Sequence, residues 1–126
     1  MNKVVHFEIP MDDAARAKAF YQTAFGWEMT DYPELNYTIA ATTPLDDKRM
    51  PKEPGAINGG MAKRSETFTV PSFSILVDDV DAASEKVKAA GGTIVKEKMS
   101  VGDMGFMAYF KDTEGNLLSL WQPTKM

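Results

Sequence analysis

Apolar and polar positions along the chain fall into two successive runs of the same plan. Val4 to Ile9 is rich in β-formers and predicts a strand, stopped by Pro10. Asp12-Asp13 supplies N-cap oxygens for a helix whose Ala17, Phe20, Tyr21, Ala24 and Phe25 make a one-sided apolar stripe. Gly26 stands where a helix end favours a left-handed residue. Strand-like pieces follow at Trp27–Thr30 and Tyr37–Ala41, then a proline-bearing loop over Thr42–Gly55, of which Pro44–Gly55 is a candidate lid. Ile57–Ala62 predicts a short strand interrupted by Gly59-Gly60, a pair that marks a bulge or the close approach of another group.

From Pro71 the plan restarts. Phe73–Val77 predicts a strand, and Asp78-Asp79 caps a helix with Val80, Ala83, Val87 and Ala90 on one face, ended by Gly91-Gly92. Thr93–Glu97 and Phe106–Phe110 read as strands, Asp112–Asn116 as a hairpin turn, and Leu117–Trp121 as the last strand, ended by Pro123. Met99, Met104 and Met107 surround a glycine-containing loop. Sliding the chain by 66 positions superposes Phe7 on Phe73, Ile9 on Ile75, Asp12-Asp13 on Asp78-Asp79, Ala17 on Ala83, Ala24 on Ala90 and Gly26 on Gly92. The matched order of strand, cap, helix and glycine stop reads as an internal duplication. It divides one domain over 1–126 into a module over about 1–63, a linker over about 64–70 and a module over about 71–126.

Composition narrows the function. The 126 residues and 44% apolar content suit one domain with a real core. A net charge of −4, with only the doublets Lys48-Arg49 and Lys63-Arg64, argues against nucleic acid as a partner. No cysteine is present, which removes disulfides, thiolate metal sites and thiol nucleophiles. No apolar run approaches the length of a membrane span, and Met1-Asn2-Lys3 leads into a strand pattern without a secretory leader's apolar stretch. The expected location is the cytoplasm.

Three segments resemble one known family. Phe20-Tyr21-Gln22-Thr23-Ala24-Phe25-Gly26-Trp27, Val77-Asp78-Asp79-Val80-Asp81-Ala82-Ala83 with Ala90-Gly91-Gly92, and Phe110-Lys111-Asp112-Thr113-Glu114-Gly115-Asn116 are similar to motifs of the glyoxalase / bleomycin-resistance / extradiol-dioxygenase (vicinal oxygen chelate) superfamily. Thr113 replaces the proline usual in the last of them. The resemblance implies an α+β fold: two βαβββ modules in a pseudo-twofold, half-open barrel, helices on the convex faces and ligands or a metal in the concave cleft. It also implies a homodimer. The scaffold hosts isomerases, oxygenases, thiol transferases and plain binding proteins, so it does not fix an activity.

Metal enzymes of that family place His or Gln on the first strand of each module and Glu on the last. The resemblance puts His6 at the first of these positions and Ser72 at its duplicate. Ser119 stands at the last-strand position of module two, and Asn58-Gly59-Gly60, without a carboxylate, at that of module one. One imidazole and two un-ionised hydroxyls fall short of the three protein ligands a catalytic metal site takes. No metal and no other cofactor is therefore expected. Glu8 shares a strand face with His6, the only histidine, and is either a buried carboxylate or a paired surface acid. Those two with Asp103 or another loop carboxylate would make a non-standard site. Trp121 and Ser119 alternate with Leu118 and Leu120, so they are expected to face the cleft if the leucines face the helix. The candidate ligand-binding set is His6, Glu8, Ser72, Ser119 and Trp121, and the expected function is capture of a small, partly apolar organic molecule. The alternative is a lyase, isomerase or oxygenase with His6 and Glu8 as catalytic groups, with or without a divalent metal.

Overall fold

The computed structural model describes residues 1–48 and 50–124; Arg49 of the basic doublet lies outside them. Contacts divide the chain into two units, one over His6–Pro71 and one from Ser72 onward that also includes Met1–Val5.

The His6–Pro71 unit takes most of β1 (Val4–Met11), then α1 (Ala14–Phe25), β2 (Glu28–Tyr32), a single 3-10 turn at Pro33–Leu35, β3 (Tyr37–Ala41) and β4 (Gly59–Lys63). Its strands lie in the order β2-β3-β4-β1. β1 runs parallel to β4, from Phe7 opposite Gly59 to Met11 opposite Lys63, and β3 is antiparallel to both its neighbours. The second unit repeats this with β5 (Ser72–Leu76), α2 (Val80–Ala89), β6 (Thr93–Val101), β7 (Gly105–Lys111) and β8 (Leu117–Pro123), in the order β5-β8-β7-β6. β5 is parallel to β8, and β7 is antiparallel to β8 and β6. Two βαβββ modules of an α+β fold are thus present, as the 66-residue slide implies. The N-terminus is tied to β5: the Leu76 amide donates to the Lys3 carbonyl, and the Asn2 side chain donates to the Leu76 carbonyl.

Local chemistry sets the boundaries. Asp13 and Asp79 cap their helices, accepting from the amides of Arg16 and Ala82. Gly26 takes φ 73° after α1. Asp112 organises the last hairpin by accepting from the amides of Glu114 and Asn116. One expectation is corrected, since Pro10 lies inside β1 rather than ending it. Bonding to β4 uses alternate residues of β1, as the Met11 carbonyl accepting from Arg64 shows, so the missing Pro10 N–H removes no bond to β4. Pro123 sits at the last position of its strand, opposite Gly105. β6 also runs further than Thr93–Glu97, with two register shifts, and pairs Met99 with Met107 beside the glycine-containing turn at 102–104.

The two helices pack differently. α2 sets Val80, with no exposure, against Val77, Ala108, Phe110 and Leu120, flanked by Ala83 and Val87. In α1 the corresponding positions hold Ala14, Ala17 and Tyr21, and none of its residues is buried. The predicted stripe is largely open: Phe20 is 57% and Phe25 63% exposed. A cavity of about 340 Å³ separates α1 from β1, lined by Ile9, Met11, Ala17, Phe20, Tyr21 and Arg64 among others. Tyr21 stacks on Trp27 at 4.8 Å, and Trp27 meets Phe7 at 5.5 Å, so stacked rings rather than a buried aliphatic face hold this helix.

Candidate functional site

Glycine at two consecutive positions of β4 lets an aromatic ring lie across each face of that strand. A Cβ built on Gly59 would stand 2.3 Å from the Phe7 ring, and one on Gly60 would stand 2.0 Å from the Tyr37 hydroxyl. Residues alternate faces along a strand, so Phe7 lies on one face with Ile9, which lines the cavity beside α1, while His6, Glu8 and Tyr37 share the other. Tyr37 starts on β3, crosses the bare surface of Gly60 and reaches two residues of β1. Its hydroxyl donates to Glu8 Oε2 at 3.1 Å and lies 2.8 Å from His6 Nε2.

Burial shapes this group. Glu8 is only 2% exposed, which answers the choice between a buried and a surface acid. His6 is half-buried, and loss of hydration pushes its pKa from 6.5 down to about 4, so the ring is neutral at pH 7. Tyr37 was missed by sequence reasoning. Its only signal was Gly60, which announced a close approach without naming what approaches.

The second unit presents hydroxyls at the duplicated positions. Ser74 pairs with Ser119 across β5 and β8, as Glu8 pairs with Gly60 across β1 and β4. The Ser74 and Ser119 hydroxyls are bonded to each other at 2.6 Å, both buried, and the Ser72 hydroxyl donates to the Leu117 carbonyl at 2.6 Å. Leu120 enters the core beneath α2 with Leu118 packed on it. Ser119 and Trp121 are therefore on the sheet face away from α2, as the alternation predicts, and Met107 and Tyr109 join them there because they pair with Trp121 and Ser119. Ser74 was also missed, although it lies two positions from Ser72 on the same strand face.

Among the described residues, no three His, Cys, Asp or Glu side chains converge as a metal site would require. Asp103 accordingly does not complete a group of three with His6 and Glu8.

The chain belongs to the Glyoxalase/Bleomycin resistance protein/Dioxygenase superfamily, whose model matches residues 3–120. It is 30% identical over 122 residues to the "Putative glyoxylase CFP32" of Mycobacterium tuberculosis, covering 94% of this chain and 44% of that protein. It thus spans less than half the length of that relative. It is 27% identical over 117 residues to the lactoylglutathione lyase of Haemophilus influenzae, covering 90% of this chain and 87% of that protein. Its fold is shared with a variant of the Streptomyces coelicolor methylmalonyl-CoA epimerase in complex with 2-nitronate-propionyl-CoA. The TM-score is 0.67 at 16% identity, over 99% of each chain.

Proposed function

We propose that this protein binds a small, partly apolar organic molecule on the sheet faces that carry His6, Glu8, Ser72, Ser119 and Trp121, and that it does so without a resident divalent metal. The observation that carries the reading is the engagement of His6 Nε2 by Tyr37, which itself lies where a side chain at position 60 would project. The residues do not fit a divalent cation: the other positions that the family resemblance singles out are bare glycine and two serines whose hydroxyls are already hydrogen-bonded. In the second unit Trp121 and Met107 supply apolar surface for an organic ligand, and in the first unit Tyr37 supplies a polar contact. The exposed Phe20 and Phe25 offer apolar surface for pairing with a second copy, and a cysteine-free sequence is in keeping with a cytoplasmic location.

Thermal unfolding in the presence of Zn²⁺, Ni²⁺, Mn²⁺ or Mg²⁺, and separately of a panel of aromatic and aliphatic small molecules, tests this reading. A bound organic ligand at 100 times its Kd stabilises by about 2.7 kcal/mol, a rise of several degrees. The expected result is such a rise with members of the organic panel and none with metals. Stabilisation by micromolar metal would overturn the reading.

A second reading, metal-free acid–base catalysis in a lyase or isomerase, is favoured by one observation: a buried carboxylate, a phenol and the only imidazole share one hydrogen-bonded chain. Full turnover of an identified substrate by a His6→Ala variant would exclude it.

A further inference from the structure

We propose that Tyr37 sets the tautomer of His6, holding the ring hydrogen on Nε2 and leaving Nδ1 as a bare acceptor for a ligand that offers a hydroxyl, enol or amide N–H. The inference rests on the metal-free reading above, because a cation on Nε2 would replace the Tyr37 contact.

A phenol has one hydrogen to give. Glu8 Oε2, 3.1 Å away, accepts it. The Tyr37 oxygen is then an acceptor toward its other neighbour, His6 Nε2, at 2.8 Å. A contact that short between two lone pairs is repulsive, so Nε2 carries hydrogen. A neutral imidazole has one N–H and one lone pair. His6 is neutral at pH 7, since burial lowers its pKa to about 4. The lone pair therefore falls on Nδ1, which has no hydrogen-bond partner among the described residues. The opposite arrangement, Tyr37 donating to Nε2, would place the ring hydrogen on Nδ1 and make that nitrogen a donor. The polarity of the atom left for a ligand is thus fixed two bonds away, by the residue on which the Tyr37 hydrogen rests. Gly60 is part of the device, since only a residue without Cβ admits the phenol to this position.

His6 is the only histidine in the chain, so a long-range ¹H–¹⁵N correlation spectrum of the uniformly labelled full chain, metal-free at pH 7, shows one imidazole. The expected pattern has a protonated, pyrrole-type Nε2 and a pyridine-type Nδ1. In Tyr37→Phe the single pattern is lost and both nitrogens move toward averaged positions. Phenol, the simplest hydroxyl donor on an apolar ring, shifts the Nδ1 resonance of the wild type, whereas its O-methyl analogue anisole leaves it in place. A wild-type ring protonated on Nδ1 overturns the inference, as does an unchanged pattern in Tyr37→Phe or an equal response to phenol and anisole. The wild-type spectrum decides the matter even if Tyr37→Phe does not fold. A spectrum that shows metal coordination and reverts on chelation would instead sink the metal-free reading, while the chelated sample still reports the tautomer.

Discussion

Replacing Gly60 by alanine should disable the polar group of the first unit through one added methyl. The three atoms nearest the new Cβ all belong to Tyr37, at 2.0, 2.1 and 2.3 Å. These distances lie far inside the roughly 3.5–4.0 Å at which non-bonded carbon atoms rest. The phenol must swing away, and its contacts with Glu8 and His6 go with it. Two hydrogen bonds at about 1 kcal/mol each, with some overpacking strain, set the cost at about 2–3 kcal/mol. In urea that is a loss of roughly 1–2 M in the unfolding midpoint. A double-mutant cycle with Tyr37→Ala isolates the contact between the methyl and the ring. Truncating the ring removes the three atoms nearest the added methyl, so Gly60→Ala should then cost less than about 0.5 kcal/mol, and the coupling should be about 2 kcal/mol. Costs that add to within about 0.5 kcal/mol would show that the methyl acts elsewhere than on Tyr37.

Other expectations follow from the same geometry. The His6 ring should titrate by NMR with a midpoint near pH 4 rather than 6.5; because the unfolded chain takes up the proton first, stability should fall as pH drops from about 6.5 to 4 and level off below, a limb absent in His6→Asn. Hydrogen bonds from Lys18 and Thr38 hold the Asp31 carboxyl below its usual 3.8, so its contribution is present above that pH and lost as pH falls further; Asp31→Asn should flatten the acid limb of a melting-temperature profile below pH 4. Val80→Ala, in the core beneath α2, should cost about 2 kcal/mol in urea unfolding, whereas Phe20→Ala on α1 should cost under about 1 kcal/mol. Equal losses would contradict the different packing of the two helices.

What the sequence made legible was what lies close along the chain. Both aspartate caps, the Gly26 stop and the Asp112 hairpin are local hydrogen-bond or φ requirements, and a 66-residue slide exposes the repeated order that they punctuate. The alternation of Ser119 and Trp121 with two leucines also read correctly, because side-chain direction in a strand depends only on parity. Pro10 misled because the ladder to β4 draws on alternate residues of β1, and Pro10 is not one of them. The stripe on α1 misled because periodicity reports an apolar face and not how well its partner fills it: Ala14 stands where the second module has Val80. Tyr37 was out of reach for a different reason. Its place beside His6 and Glu8 depends on β4 lying between β3 and β1, a pairing that no local pattern encodes.

Native mass spectrometry of untagged protein purified without chelator decides whether this member of the superfamily holds an organic ligand or a resident metal. The expected spectrum shows chains, single or paired, free of divalent metal, either bare or carrying an organic adduct whose mass would identify the ligand. One divalent ion per chain, lost only on unfolding, would contradict the metal-free reading.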